Sequence, residues 1–328
     1  MKLTNLEKDP QFVQEVLNLI ENSFGYTKDS SFAVDFYPLM KKENHQNCYL
    51  LIDKGIVIAH TAQLTRDIEF NGKTYPVSMY GGIAVHQSYQ GKGIFKKIFN
   101  EVTAKYTNFA LHFLWSEKID LYGKFNFYPA IEMYQYNKLS YQHSPNVIET
   151  KLSLLSKQDK QEVYNLYKKN SEIRIKRNTE HWLELECITS SKLFLIKEQD
   201  RITNYFIMNK GADLTNTIHE YGFIDSIQLR VMLNFGNVWS ASLIDDIKSE
   251  SLYSSLIKPG DFMLFSNLML ELFNTKILEI KDDQIKLELN GQEFQVPLSD
   301  FLNGAMGPGK YKELSASPSF YICGMDSI

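Results

Sequence analysis

The sequence predicts a mixed α/β fold built as two related halves, and three observations carry that prediction. Helix-period and strand-period segments alternate over residues 1–145 in the order helix, helix, strand hairpin, strand, helix, strand, helix, strand. Turn pairs of the hairpin kind punctuate them, at Asp53-Lys54-Gly55, Asn71-Gly72 and Asn290-Gly291. A short echo also links the halves. Gln14-Glu15-Val16-Leu17-Asn18-Leu19 returns as Gln161-Glu162-Val163-Tyr164-Asn165-Leu166, a shift of 147 residues from position 14 to position 161.

Each element has a local reason. After Asp9-Pro10, the apolar residues Phe12, Val13, Val16, Leu17, Leu19 and Ile20 recur at helical spacing until Phe24-Gly25 stops them. A second helix is expected over about 32–42. The period then changes: CYLLI (48–52) and IVIAHTAQL (56–64) read as paired strands, and about 75–85 as a third. Gly81-Gly82 lies inside that third strand, where paired glycines mark a bulge or a close backbone approach. From Ile94, the positions Phe95, Ile98, Phe99, Val102 and Tyr106 form one apolar helix face. Residues 109–115 read as a strand, LYGKF as part of a short helix, and 128–136 as a further strand.

The stretch 141–159 is more polar and holds Ser144-Pro145, so the domain boundary is expected near 145. In the second half the echoed helix is followed by strand, turn, strand at 193–196, 197–200 and 201–208, and later by a strand over about 217–223. The hairpin at Asn290-Gly291, a helix over about 298–303 and a loop with Gly304, Gly307, Pro308 and Gly309 come last.

Composition narrows the function. The 328 residues are 44% hydrophobic and 23% charged, with a net charge of −4 and no long basic run, so a nucleic-acid role has no support. Cys48, Cys187 and Cys323 are scattered with no CxxC and no Cys/His cluster, which fits reduced thiols and speaks against a disulfide framework or a metal site. No apolar run approaches the ~18 residues of a membrane span. The opening MKLTNLEKDP lacks an apolar core followed by small residues, so no leader is expected and the expected location is cytoplasmic.

The chemistry centres on YQGKGIFKKIF, residues 89–99. A glycine turn between a strand and a helix is an anion site, because the first helical N–H groups have no partner and the helix dipole adds positive charge there. It is neither GxxxxGK[ST] nor GxGxxG. The run resembles the acetyl-CoA loop of the GNAT superfamily of N-acetyltransferases, [QR]-x-x-G-x-[GA], with Gln90, Gly93 and then Phe95 at the Gly/Ala position. Phe95 and the segment LYGKFNFYPA (121–130) are similar to the enhanced-intracellular-survival branch, in which Lys124 and Asn126 replace that branch's Arg and Gly.

That resemblance implies two tandem acetyltransferase-like domains. Residues 1–145 would bind acetyl-CoA. Residues 146–328 would be a degenerate copy, since IDSIQLRVML follows its strand with no Gln-x-x-Gly loop, and its final segment would return to the active site. It implies that backbone amides of Gln90, Gly91, Lys92, Gly93, Ile94 and Phe95 hold the pyrophosphate. The pantetheine would lie along the strand edge at Ile83, Ala84 and Val85. Tyr122 becomes the general acid, and a phenol of pKa ~10 does stay protonated at neutral pH. The carboxylate of Ile328 becomes the base, and the apolar, compact ending FYICGMDSI suits a packed segment. Asp326 is the alternative base or a turn cap. Glu117 reads as an exposed loop residue, His86 as a surface residue, His112 as a satisfied sheet residue, and Arg174, Lys176 and Arg177 as a solvated basic loop. The branch also carries a sterol-carrier-like domain, of which this chain would have either a reduced version in 262–328 or none.

The expected activity is acetyl transfer to a primary amine of a small molecule or peptide in a ternary complex. The rival readings are a tandem-domain acyl or aminoacyl transferase using another donor, and a non-catalytic acyl-CoA-binding module.

Overall fold

A computed structural model describes residues 1–28, 30–141, 146–169, 171–244, 246–306 and 320–328. The expected boundary at Ser144-Pro145 and the loop residues Gly307, Pro308 and Gly309 lie outside them. The chain opens with β1 (Lys2–Asn5) and α1 (Val13–Phe24), which Gly25 ends in the left-handed region (φ 71°). The helix expected over 32–42 is instead two single turns, α2 (Phe32–Asp35) and α3 (Tyr37–Met40), followed by a 3-10 segment. Pro38 brings no N–H to a continuous helix, and the chain breaks at Phe36. Next come β2 (Cys48–Asp53), β3 (Ile56–Phe70), β4 (Lys73–Val85), α4 (Ile94–Thr103), β5 (Leu111–Leu114), α5 (Ile119–Gly123) and β6 (Tyr128–Tyr136).

The second half repeats the theme. It holds β7 (Val147–Thr150), α6 (Lys157–Tyr167), β8 (Arg174–Ile175), α7 (Thr179–Glu186), β9 (Lys192–Glu198), β10 (Arg201–Met208), β11 (Thr217–Tyr221), α8 (Ser226–Leu233), β12 (Asn237–Ser240) and β13 (Glu250–Pro259). A smaller unit follows: α9 (Phe262–Phe273), the meander β14 (Lys276–Lys281), β15 (Gln284–Leu289) and β16 (Gln292–Pro297), and α10 (Leu298–Met306). Helix α10 runs on through Gly304.

The main sheet runs β1-β2-β3-β4-β5-β13-β6-β12-β11-β10-β9-β7, with β8 added beside β3. Its centre is an exchange. β13, from the second half, lies antiparallel between β5 and β6, and β6, from the first half, lies antiparallel between β13 and β12. Each half therefore lends its last strand to the other, and one continuous sheet crosses the molecule. The parallel pairs β4/β5 and β11/β12 occupy matching places on either side of this exchange.

Two apolar layers cover the first half. On one face α1, α9, α10 and the β14–β16 meander share a core with β2 to β5, through residues such as Ile20, Leu39, Phe113, Phe265 and Phe301. On the other, α4 and α5 press Ile94, Ile98, Phe99 and Tyr122 onto Ile58, Tyr80 and Leu114. Each such large apolar side chain contributes roughly 1.5–3 kcal/mol by leaving water. No helix among the described residues is long and apolar enough to cross a membrane.

Candidate active site

The site is built on an irregularity in β4. Against β3, His60 pairs with Ala84 but Ala62 pairs with Gly81, so β4 carries one extra residue at Gly82-Ile83. Gly82 takes φ 58°, and its carbonyl lies 2.7 Å from His60 Nδ1. His60 is fully buried, and burial pulls its pKa down to about 4 against the opposing hydrogen bond to Gly82, so the ring is neutral at pH 7. His60 thus acts as a brace for the bulge, a role that sequence reading did not assign. On its other edge β4 pairs with β5 only from Val77 to Tyr80. Past that point the strands part, leaving Gly81, Gly82, Ile83, Ala84 and Val85 along the opening.

β4 then feeds the glycine loop. Gln90 turns its side-chain amide back to the Val85 carbonyl (3.1 Å), and Lys92 donates to the Ser88 carbonyl (2.8 Å). Gly91 (φ 71°) and Gly93 (φ 77°) hold left-handed conformations that an L side chain adopts only with strain. A Cβ at either glycine would meet nothing within 4 Å, so the loop faces open space. Gly93 caps α4, and no side chain satisfies the first-turn amides of that helix.

Phe95 has a clear packing role. Its ring stands edge-on to Tyr122 (centroids 5.5 Å) and Phe125 (5.1 Å) and stacks on Phe99 (5.2 Å). Phe95, Tyr122, Ile83 and Val85 therefore share one cluster. Tyr122 is buried, with its pKa pushed up to about 12 by that burial, and its hydroxyl has no hydrogen-bond partner among the described residues. The phenol therefore stays protonated across the physiological range.

The segment 320–328 comes to the same strand from the other side. A Cβ on Gly81 would lie 2.8 Å from the carboxyl carbon of Ile328 and 3.1 Å from Leu39 Cδ2. Only glycine leaves room there for the main chain of Ile328. Upstream, side chains alternate between cores. Phe320 and Ile322 enter the first-half core, whereas Tyr321, Cys323 and Met325 enter that of the second half. Asp326 is buried and lies in an ion cluster. Arg177 donates to both Glu220 oxygens (2.9 and 2.6 Å) and to Asp326 Oδ2 (2.8 Å), while His181 Nε2 stands 3.1 Å from Asp326 Oδ1. Burial alone would raise the Asp326 carboxyl, but the Arg177 charge holds it far below the ordinary carboxylate range.

These contacts correct one sequence expectation and sort the others. Arg177 is not in a solvated loop: its side chain is 0% exposed, with the guanidinium carbon 3.8 Å from the Tyr167 ring centre and 4.5 Å from that of Trp182. Arg174 pairs with Glu69, and Lys176 is exposed. Asp326 serves the ion cluster. Glu117 is exposed, His86 accepts from the Ser88 amide, and buried His112 meets the Tyr80 hydroxyl (3.2 Å). Among the described residues, no group of three or more His, Cys, Asp or Glu is placed to hold a metal ion.

The strand bulge, the parted β4/β5 pair and the glycine loop opening α4 all lie within the first 130 residues. Residues 8–130 match the family model of the acetyltransferase (GNAT) domain. Several solved structures share the fold of nearly the whole chain. A GCN5-related N-acetyltransferase from Anabaena variabilis superposes with TM-score 0.61 at 12% identity, covering 98% of this chain and 97% of its own. Eis1 from Mycobacterium abscessus gives TM-score 0.59 at 8% identity, with 96% and 92% covered. A probable N-acyltransferase from Enterococcus faecalis gives 0.58 at 14% identity, with 90% and 84% covered. No curated protein matches the chain in sequence.

Proposed function

We infer that this protein is an acetyl-CoA-dependent N-acetyltransferase of the tandem, enhanced-intracellular-survival-like branch, acting in the cytoplasm on a primary amine of a small molecule or peptide. One observation carries the reading: the Ile328 carboxyl carbon abuts Gly81, beside the bulge, on the strand that runs directly into the glycine loop.

The residues present fit the donor. Positive-φ glycines with open space above them and an uncapped helix start would cradle a pyrophosphate, with the amides of Gly91 to Phe95 as donors; the Gln90 amide, expected among them, is instead engaged by the Gln87 carbonyl (3.2 Å). When bound, acetyl-CoA supplies an acyl group already activated as a thioester. The chain's own residues do the rest. The Ala84 amide points to β3, whereas the neighbouring Val85 N–H, on the Ile83–Val85 edge that β5 leaves open, would face a developing oxyanion. Ile328's carboxylate is the proton acceptor for an incoming ammonium. Tyr122, kept neutral by burial and held by Phe95, is the proton donor.

The test is turnover of acetyl-CoA over a panel of amines, including aminoglycosides, polyamines and lysine peptides. Tyr122→Phe and an extension beyond Ile328 serve as controls. The proposal expects thiol release that depends on amine and is strongly reduced in both controls. Full rate in both would remove the acid and base assignments.

A further inference from the structure

The second half keeps the irregularity of the first but not its loop. Against β10, Ile207 pairs with Glu220 while Met208 pairs with Ile218, so β11 carries one extra residue at His219. β11 and β12 pair at Thr217 and Ile218 and then part, as β4 and β5 do after Tyr80. The two bulges thus occupy matching places about the exchanged strands. In the second half the opening is filled from within. The Tyr321 hydroxyl donates to the His219 carbonyl of β11 (2.8 Å) and lies 3.4 Å from the Trp239 carbonyl of β12, bridging the parted strands. The Gly324 amide also donates to the His219 carbonyl (3.2 Å), and a Cβ on Gly324 would lie 2.5 Å from the His219 ring.

Beyond this contact the segment is gripped by charge. Lys210, 1% exposed and just past β10, donates to the carbonyls of Gly324 (2.7 Å), Met325 (3.3 Å) and Ser327 (2.5 Å). Asp326 is tied through Arg177 to Glu220 of β11. The polar anchors from Tyr321 to Ser327 therefore belong to the second half, Ile322 alone among the side chains from 321 to 327 packing into the first-half core, while the next residue, Ile328, touches Gly81 of the first.

We propose that the parted-strand site of the second half has become the dock for the 320–328 segment, and that Tyr321 and Lys210 are positioning residues that hold Ile328 against Gly81. The half without a glycine loop then contributes to turnover by fixing the proton acceptor of the other half. This rests on the reading of Ile328 above.

Two single variants of the full chain test it, Tyr321→Phe and Lys210→Met, with folding checked by near-UV circular dichroism. Hydrogen exchange across 320–328 reads the dock without any turnover. Loss of protection in both variants is expected, with kcat for amine acetylation down about tenfold or more and the Kd for coenzyme A at its wild-type value. Unchanged protection overturns the proposal. So does a fall in kcat matched by an equal loss of coenzyme A binding or of folded protein. Removal of Ile328 separates the two readings: wild-type kcat after that change sinks the acceptor role of Ile328, while the exchange data still decide the dock.

Discussion

Replacing Gly81 by alanine puts a methyl carbon 2.8 Å from the carboxyl carbon of Ile328 and 3.2 Å from its oxygen. Gly81 does not sit at positive φ, so the backbone itself accepts alanine. Ordinary contact begins at about 3.4 Å, so the Ile328 main chain must retreat by about 0.6 Å. A displacement of 1 Å at a reacting group costs on the order of a hundredfold in rate, so 0.6 Å corresponds to about tenfold, or roughly 1.4 kcal/mol of barrier. The crowding itself costs roughly 1–3 kcal/mol of stability. The glycine loop is untouched, so the defect belongs in kcat and not in coenzyme A affinity. Steady-state acetylation with calorimetric titration of coenzyme A separates the two. A Gly81→Ala protein that folds and turns over at wild-type kcat would refute the placement of Ile328 in the chemistry.

Other changes address the remaining parts. Tyr122→Phe lowers kcat by about 10²–10⁴ if the phenol is the acid, with little change in Tm, because the hydroxyl has no partner among the described residues. Gly93→Ala strains a left-handed residue by about 1–2 kcal/mol and should weaken coenzyme A binding in calorimetry while leaving Tyr122 in place. Arg177→Met leaves Glu220 and Asp326 buried without their countercharge and should cost about 3–5 kcal/mol in urea unfolding. Burial lowers the Lys210 pKa from 10.5 to about 8, so between those values the unfolded chain binds the extra proton. This group's contribution to stability therefore rises with pH across that window, by about 3 kcal/mol, and its penalty is fully present below pH 8. Urea unfolding at pH 7.5 and 9.5, compared with Lys210→Met, reads that slope, which should flatten in the variant.

The sequence made the local features legible. The Asn71-Gly72 turn, the apolar face from Ile94 and the strand Tyr128–Tyr136 are set by residues near one another, and each lies where periodicity placed it. The bulge was visible as Gly81-Gly82, because a missing Cβ leaves a trace in the sequence. Long-range choices left none. Nothing in SLYSSLIKP says that it pairs with β5 and β6 of the other half, since a strand's partners are decided by packing across the molecule. Arg177 looks like a surface cation beside Arg174 and Lys176 until folding brings Glu220 and Asp326, 43 and 149 residues away, onto its guanidinium. His60 and Lys210 share that character. Each is an ordinary polar residue in sequence, and its task comes from the main-chain carbonyl it meets.

Mixing the protein with acetyl-CoA and each amine of the panel, while following free thiol and acylated amine together, tests the acetyltransferase activity itself. Coenzyme A is expected to bind at a single site, and thiol to appear in step with acylated product for at least one amine. Absence of coenzyme A binding by calorimetry, together with no amine-dependent thiol release, would contradict it.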